Sequence, residues 1–220
     1  MGILRNLLAV LLIPLCAGYT LALIDVVRSL IRISPRSVSF LVGMGFFLLH
    51  RRLAARIGGA KKQGFAEVFE HELTHTVVAW LMGSEVTEFQ ATDKKGGHIA
   101  HTHTNFIITL APYFLPTVTV LVLMMAPVIK DEYSLYVVFF AGFTYCYHLL
   151  STWHEFSFHQ PDIEKSGKFF SVVFLYLMNV VFVGIVLQFV DSGNSTVLTF
   201  LLDGLSQSLT LVVSALSRLM

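Results

Sequence analysis

Residues 65–83 read FAEVFEHELTHTVVAWLMG, an apolar run that carries Glu67, Glu70, His71, Glu72 and His75. An ionisable side chain inside a membrane costs a few kcal/mol at least and is a functional hypothesis by default. His71-Glu72-Leu73-Thr74-His75 is an HExxH sequence. On a helix, positions four apart lie on one face, so both imidazoles can grip one metal ion from the same side. Glu72 sits one residue along and is free to reach a metal-bound water and take its proton. The pattern therefore points to metal-assisted hydrolysis. The alternative is a surface helix with Glu67 and Glu70 on its polar face, and the apolar context favours the metal site.

The composition says where such a helix sits. The chain has 220 residues, of which 55% are hydrophobic and 13% charged. Its mean hydropathy is +0.72. Soluble domains carry about 25% charged residues, so this chain lacks the polar surface a water-soluble fold needs. The formal net charge of +1 leaves no nucleic-acid footprint. Cys16 and Cys146 lie in apolar runs and read as packing residues, not a disulfide framework.

Further apolar segments run at about 6–24, 37–50, 105–129, 133–150 and 169–190, each a candidate transmembrane helix. An amphipathic tail follows at about 196–219. The first run resembles a signal peptide, but it continues uncharged to Ile24 and its small-residue cleavage pattern is weak, so it is expected as a retained span. Arg28, Arg32 and Arg36 follow this run, and Arg51, Arg52, Arg56, Lys61 and Lys62 follow the next. The larger cluster favours a cytoplasmic position, which puts the N-terminus inside as well.

Two polar stretches interrupt the pattern. Residues 84–104, SEVTEFQATDKKGGHIAHTHT, read as a β-hairpin turning near Lys94-Lys95-Gly96-Gly97. His98, His101 and His103 in it read as an exposed polar edge. Residues 151–168, STWHEFSFHQPDIEKSGK, mix His, Glu and Asp with aromatic residues. Irregular backbone at membrane depth persists only where it is buried in protein or lines a wet cavity, so both stretches are candidates to line a site.

Residues 71–89, HELTHTVVAWLMGSEVTEF, resemble the site-2 protease family of intramembrane zinc metalloproteases. Gly83, Val86 and Gly96-Gly97 fit the order of that family's elements after the HExxH helix. Leu110-Ala111-Pro112 is similar to its Ala-Gly-Pro segment, with the Gly replaced and the usual following Asn absent. Gln160-Pro161-Asp162-Ile163 is similar to its Asn-Pro-Asp-Gly. A catalytic zinc commonly has three protein ligands and an open position. The resemblance implies Asp162 as the third, beside His71 and His75. Spacing alone leaves His148, His154, Glu155 and His159 open, and it equally allows Asp162 as a helix N-cap.

The expected fold is an all-α polytopic membrane protein with about six transmembrane helices and a short membrane-associated hairpin after the HExxH helix. The expected parts are two N-terminal helices and a basic loop (1–62), a catalytic core (63–190) and a C-terminal amphipathic helix (191–220). The resemblance implies Zn2+ as cofactor and a membrane-protein substrate in the bilayer, cut in or near a transmembrane segment with Glu72 as base. Substrate-binding residues are not assigned. The rival is a metal-binding membrane protein without proteolysis, such as a transporter, a sensor or a degenerate family member. Glu72 separates the two, because hydrolysis needs a base beside the metal and transport does not. A full span for every run would leave Asp162 at a membrane face, away from His71. Either 151–168 dips inward or one run is broken.

Overall fold

The computed structural model describes residues 2–30, 33–58, 64–92, 96–192 and 196–219; Arg32, Lys61, Lys62 and the Lys94-Lys95 turn lie outside them. The elements are helices α1 (Gly2–Leu30), α2 (Pro35–Gly58) and α3 (Phe65–Leu81), strands β1 (Val86–Thr92) and β2 (Gly96–His101), then helices α4 (Phe106–Leu110), α5 (Thr117–Met124), α6 (Ser134–Glu155), α7 (Pro161–Ser166), α8 (Lys168–Ser192) and α9 (Val197–Leu219). Five helices among the described residues are long and apolar enough to cross a membrane. Their outward Leu, Ile and Phe side chains, such as Leu11, Leu41 and Phe140, are exposed, as a lipid-facing surface requires. The chain is thus an integral, multi-pass membrane protein.

The run at 105–129 is not the single span expected. Phe106–Tyr113 and Thr117–Val128 bend by 84° at the break between them, a broken span or a re-entrant loop. Pro112 and Pro116 flank that break. Neither prolyl nitrogen can donate, and each ring clashes with a preceding turn. Conversely α3, with 17 residues and Glu67, Glu70 and Glu72, is outside the set of candidate spans, whereas the amphipathic tail, α9, is within it.

Two compact units divide the chain. One comprises the residues up to Val38 together with those from Ile163 onward; the other is Ser39–Asp162. In the first, α1 packs on α8 and α9, and small residues bring α1 and α9 close. A Cβ on Gly18 would overlap Ser208, and one on Gly204 would overlap the Tyr19 ring. Tyr19 Oη donates to the Leu201 carbonyl at 3.0 Å. Lipid gives no hydrophobic drive for helix association, so close backbone approach and interhelical hydrogen bonds supply it. Cys16 and Cys146 are free thiols.

In the second unit, α2 and α6 meet at Gly43 and Gly142, whose Cα positions abut the Phe139 and Phe40 carbonyls. Ser39 Oγ donates to Leu135 O at 2.7 Å. Thr119 Oγ1 donates to Thr144 Oγ1 at 3.0 Å, tying α5 to α6, and Thr74 Oγ1 meets Thr117 Oγ1 at 2.6 Å, tying α3 to α5. These bonds hold α3 against its neighbours at its middle, where the HExxH residues lie.

Both ends of α3 are set locally. Glu67, at the third helical position, accepts from the Gly64 N–H at 3.2 Å and occupies one of the free donors at the helix start. At the other end Gly83 adopts φ +73°, a left-handed conformation that glycine takes without penalty. Ser84 N–H then bonds Ala79 O at 2.8 Å and Gly83 N–H bonds Trp80 O at 3.0 Å, a Schellman cap. The chain turns directly into β1. The antiparallel hairpin pairs Phe89 with Ile99 and Ala91 with Gly97, with a bulge between Val86 and Glu88. Phe69 on α3 packs edge-on to Phe89 on β1, centroids 5.8 Å apart.

Candidate metal centre

His71 and His75, one turn apart on α3, present their Nε2 atoms to each other at 3.2 Å. Asp162 Oδ2 approaches both, 3.8 Å from His71 Nε2 and 3.6 Å from His75 Nε2. Among the described residues this trio forms the group of side chains able to hold a metal ion. Asp162 is the second residue of α7, behind Pro161 at the favoured first helical position, and so it does not cap the helix. Gly167, at φ +91°, separates α7 from α8.

The outer edges of both imidazoles are engaged. His75 Nδ1 donates to the Ile108 carbonyl at 2.8 Å. A carbonyl only accepts, so the proton sits on Nδ1 and Nε2 keeps its lone pair. That carbonyl also accepts the Ala111 N–H, and Pro112, four residues after Ile108, has no N–H to add, so its second lone pair is left for His75. Asn105 starts this turn by accepting from the Ile107 and Ile108 N–H groups at 2.9 and 3.0 Å. His71 Nδ1 meets Glu155 Oε2 at 2.8 Å, and this proton too belongs on Nδ1.

Two lone pairs and a carboxylate thus point at one spot, an arrangement that calls for a cation. A tetrahedral zinc with bonds of about 2.0–2.2 Å needs donor atoms about 3.3–3.6 Å apart. Separations of 3.2, 3.6 and 3.8 Å fit that ion with shifts of a few tenths of an ångström. Two nitrogens and one carboxylate oxygen are also a zinc-type donor set.

Glu72 is buried, and the ionisable groups around it include His75, His71 and Asp162. Strand β2 covers it: a Cβ on Gly97 would overlap the Glu72 carboxylate. Only a glycine lets the strand backbone lie that close. Behind His71 lies a cavity of about 10 Å3, lined by Glu70, Thr74, His148, Ser151 and Glu155 among others. It is the size of one water.

The other candidates fall elsewhere. Glu155 touches His71 at Nδ1, the edge away from Asp162. His154 is exposed, with Nε2 3.3 Å from Arg51. His159 is exposed in the turn before α7. His148 is buried with Nδ1 3.9 Å from Glu70 Oε1. His98 is exposed on β2, and His101 Nδ1 donates to His103 O at 2.7 Å. Sequence reasoning missed Tyr113, which is buried, donates to Asp162 Oδ2 at 3.4 Å and stands edge-on to His71 with centroids 5.5 Å apart. Its place directly after Pro112 carries no signal of that contact. The Ile108 carbonyl was also missed, although Pro112 four residues on is a readable sign that it lacks its usual i+4 donor.

No curated protein and no solved structure matches the chain. The family described as Peptidase M50B-like matches residues 60–158, a segment that holds α3, the hairpin and all of α6 and ends just before Asp162. M50 proteins are membrane-embedded zinc metalloproteases in general. With HExxH inside the matched segment and several apolar helices around it, this match supports membership of the site-2 protease (M50) family.

Proposed function

We propose that this chain is an intramembrane zinc metalloprotease that hydrolyses a peptide bond in or near a transmembrane segment of a membrane-protein substrate. His71, His75 and Asp162 are its zinc ligands and Glu72 its general base. The observation that carries the reading is the convergence of His71 Nε2, His75 Nε2 and Asp162 Oδ2 on one point beside a buried Glu72. Zinc bound there would lower the pKa of a water to about 7 and polarise a carbonyl.

The protein's own groups do the rest. Glu72 takes the proton of the attacking water and delivers it to the leaving amine, as a base held beside the attack site can. His75 and His71 keep their Nε2 lone pairs turned inward because Ile108 O and Glu155 hold the Nδ1 protons. The hairpin packs over Glu72 and limits bulk water on that side. A helical substrate hides its peptide bonds, so it must unwind locally. The hairpin offers strand edges on which an extended segment can pair.

The contact of β2 with Glu72 gives a sharp consequence. Gly97→Ala puts a methyl group into the carboxylate and displaces it from its working position. A misplacement of about 1 Å can cost roughly 100-fold in rate. Gly97→Ala is therefore expected to keep its zinc and to cleave about 10- to 100-fold more slowly, read by elemental analysis and by mass spectrometry of a cleaved single-span peptide.

The test of the reading is metal content. Detergent-purified wild-type chain is expected to carry about one zinc, consistent with one three-ligand site. Removing the zinc with a chelator should abolish cleavage of single-span peptides in phosphatidylcholine vesicles, and resupplying zinc should restore it. A wild-type chain that takes up no zinc even when it is supplied would sink the reading.

A further inference from the structure

We infer that Glu155 is a positioning residue that holds His71 in its ligating pose and tautomer, an inference that rests on His71 being a zinc ligand. The two edges of the His71 ring face two carboxylates from one short stretch of chain. Glu155 Oε2 lies 2.8 Å from Nδ1, and Asp162 Oδ2 lies 3.8 Å from Nε2. Glu155 closes α6 and Asp162 is the second residue of α7. Gln160 ties the turn between them, its side-chain amide donating to Glu155 O at 3.0 Å. One connection therefore delivers the group that would bind the metal and the group that aims the ligand beside it.

Local preference disfavours a carboxylate at Glu155. It is buried, and it ends a helix that is a candidate membrane span. A buried carboxylate is costly there. The last turn of a helix also presents the negative end of its dipole, which disfavours an acid. Ser151 Oγ reaches Oε1 only at 3.5 Å, a weak contact, whereas the bond to His71 Nδ1 is short at 2.8 Å. A conflict of this kind between local preference and observed placement marks a functional site.

The geometry also separates this role from that of a ligand. A carboxylate at Nδ1 stands on the outer edge of the ring and cannot share an ion with Nε2. It accepts the Nδ1 proton, fixes the tautomer and makes Nε2 more basic. His75 receives the same orientation from a neutral carbonyl, Ile108 O. The two ligating imidazoles are thus not equivalent, and His71 is the one whose strength depends on a charge.

The test is zinc affinity, measured on the detergent-purified full chain by competition with a chromogenic chelator and accompanied by the visible spectrum of the cobalt-substituted protein. Loss of an outer partner of a metal-bound histidine typically costs 10- to 100-fold in affinity. Glu155→Ala is expected to weaken zinc by about that factor while still reaching about one zinc at saturation. Glu155→Gln, which keeps an acceptor and the shape of the side chain, is expected to fall between, and to bind even if the alanine variant does not fold. The cobalt bands should shift in both. His154→Ala, next door but exposed, should match wild type. Wild-type affinity and unshifted cobalt bands in both Glu155 variants would overturn the inference. So would loss of zinc at saturation in Glu155→Gln alongside retention in Asp162→Ala, which would make Glu155 the ligand. Absence of zinc from the wild-type chain would instead strike the metal-site reading beneath it.

Discussion

Glu72→Gln is expected to keep about one zinc per chain, as a three-ligand site intact would, and to lose cleavage. General base catalysis contributes about 100- to 10,000-fold, so the residual rate should lie that far below wild type. The amide has the size of the carboxylate and fits under Gly97, so the packing of β2 on α3 survives. What disappears is the ability to take a proton. The separation of metal binding from turnover is the point of the experiment, because Glu72 is adjacent in sequence to one ligand but is not in the converging trio. Elemental analysis reads the first quantity, and mass spectrometry of a single-span peptide in vesicles reads the second. Cleavage that persists at the wild-type rate in Glu72→Gln would remove Glu72 from the chemistry. Zinc lost together with activity would make it structural or a ligand.

Asp162→Ala is expected to weaken zinc by more than the roughly 100-fold limit of an outer-partner loss, and to abolish cleavage at ordinary zinc concentrations. Two histidines from one helix face leave the ion without its anionic donor and with two lone pairs 3.2 Å apart on one side only. Tyr113 Oη, now 3.4 Å from Asp162 Oδ2, would lose an acceptor but cannot replace a carboxylate at neutral pH. Elemental analysis with chelator competition decides the outcome. The same experiment on His159→Ala and His154→Ala should show wild-type affinity, because both side chains are exposed and neither joins the trio. An Asp162→Ala chain with wild-type zinc affinity would return the third ligand to the residues that spacing left open.

Much of the site was legible before any tertiary contact was known. HExxH on one helix face follows from 3.6 residues per turn, and the cost of charge in an apolar run turns that spacing into a metal-site hypothesis. Gly83 ends α3 because only a residue at home with positive φ closes that cap. The hairpin was readable from β-branched residues around a polar turn, although its register and bulge were not. The six-helix estimate agrees with five candidate spans plus one bent pair, but its assignment to segments shifted. Apolar length alone does not distinguish a straight span from one broken at Pro112 and Pro116, nor does it weigh the three glutamates of α3.

The sequence by itself determined the local chemistry: which residues can bind, which can take a proton and where the helices stop. Only the tertiary structure separated Asp162, Glu155, His154, His159 and His148 by place, with Asp162 beside both Nε2 atoms and Glu155 at His71 Nδ1, because they lie within 15 positions of one another and spacing on broken helices does not say which edge of His71 each reaches. The bend at 105–129 and the turn closed by Gln160 bring together groups that hydropathy had set at different depths. The contact of Gly97 with Glu72 and that of Ile108 O with His75 are likewise products of packing. A metal site needs donors within a few tenths of an ångström of fixed separations, and that precision comes from contacts between elements distant in sequence, which no local pattern encodes.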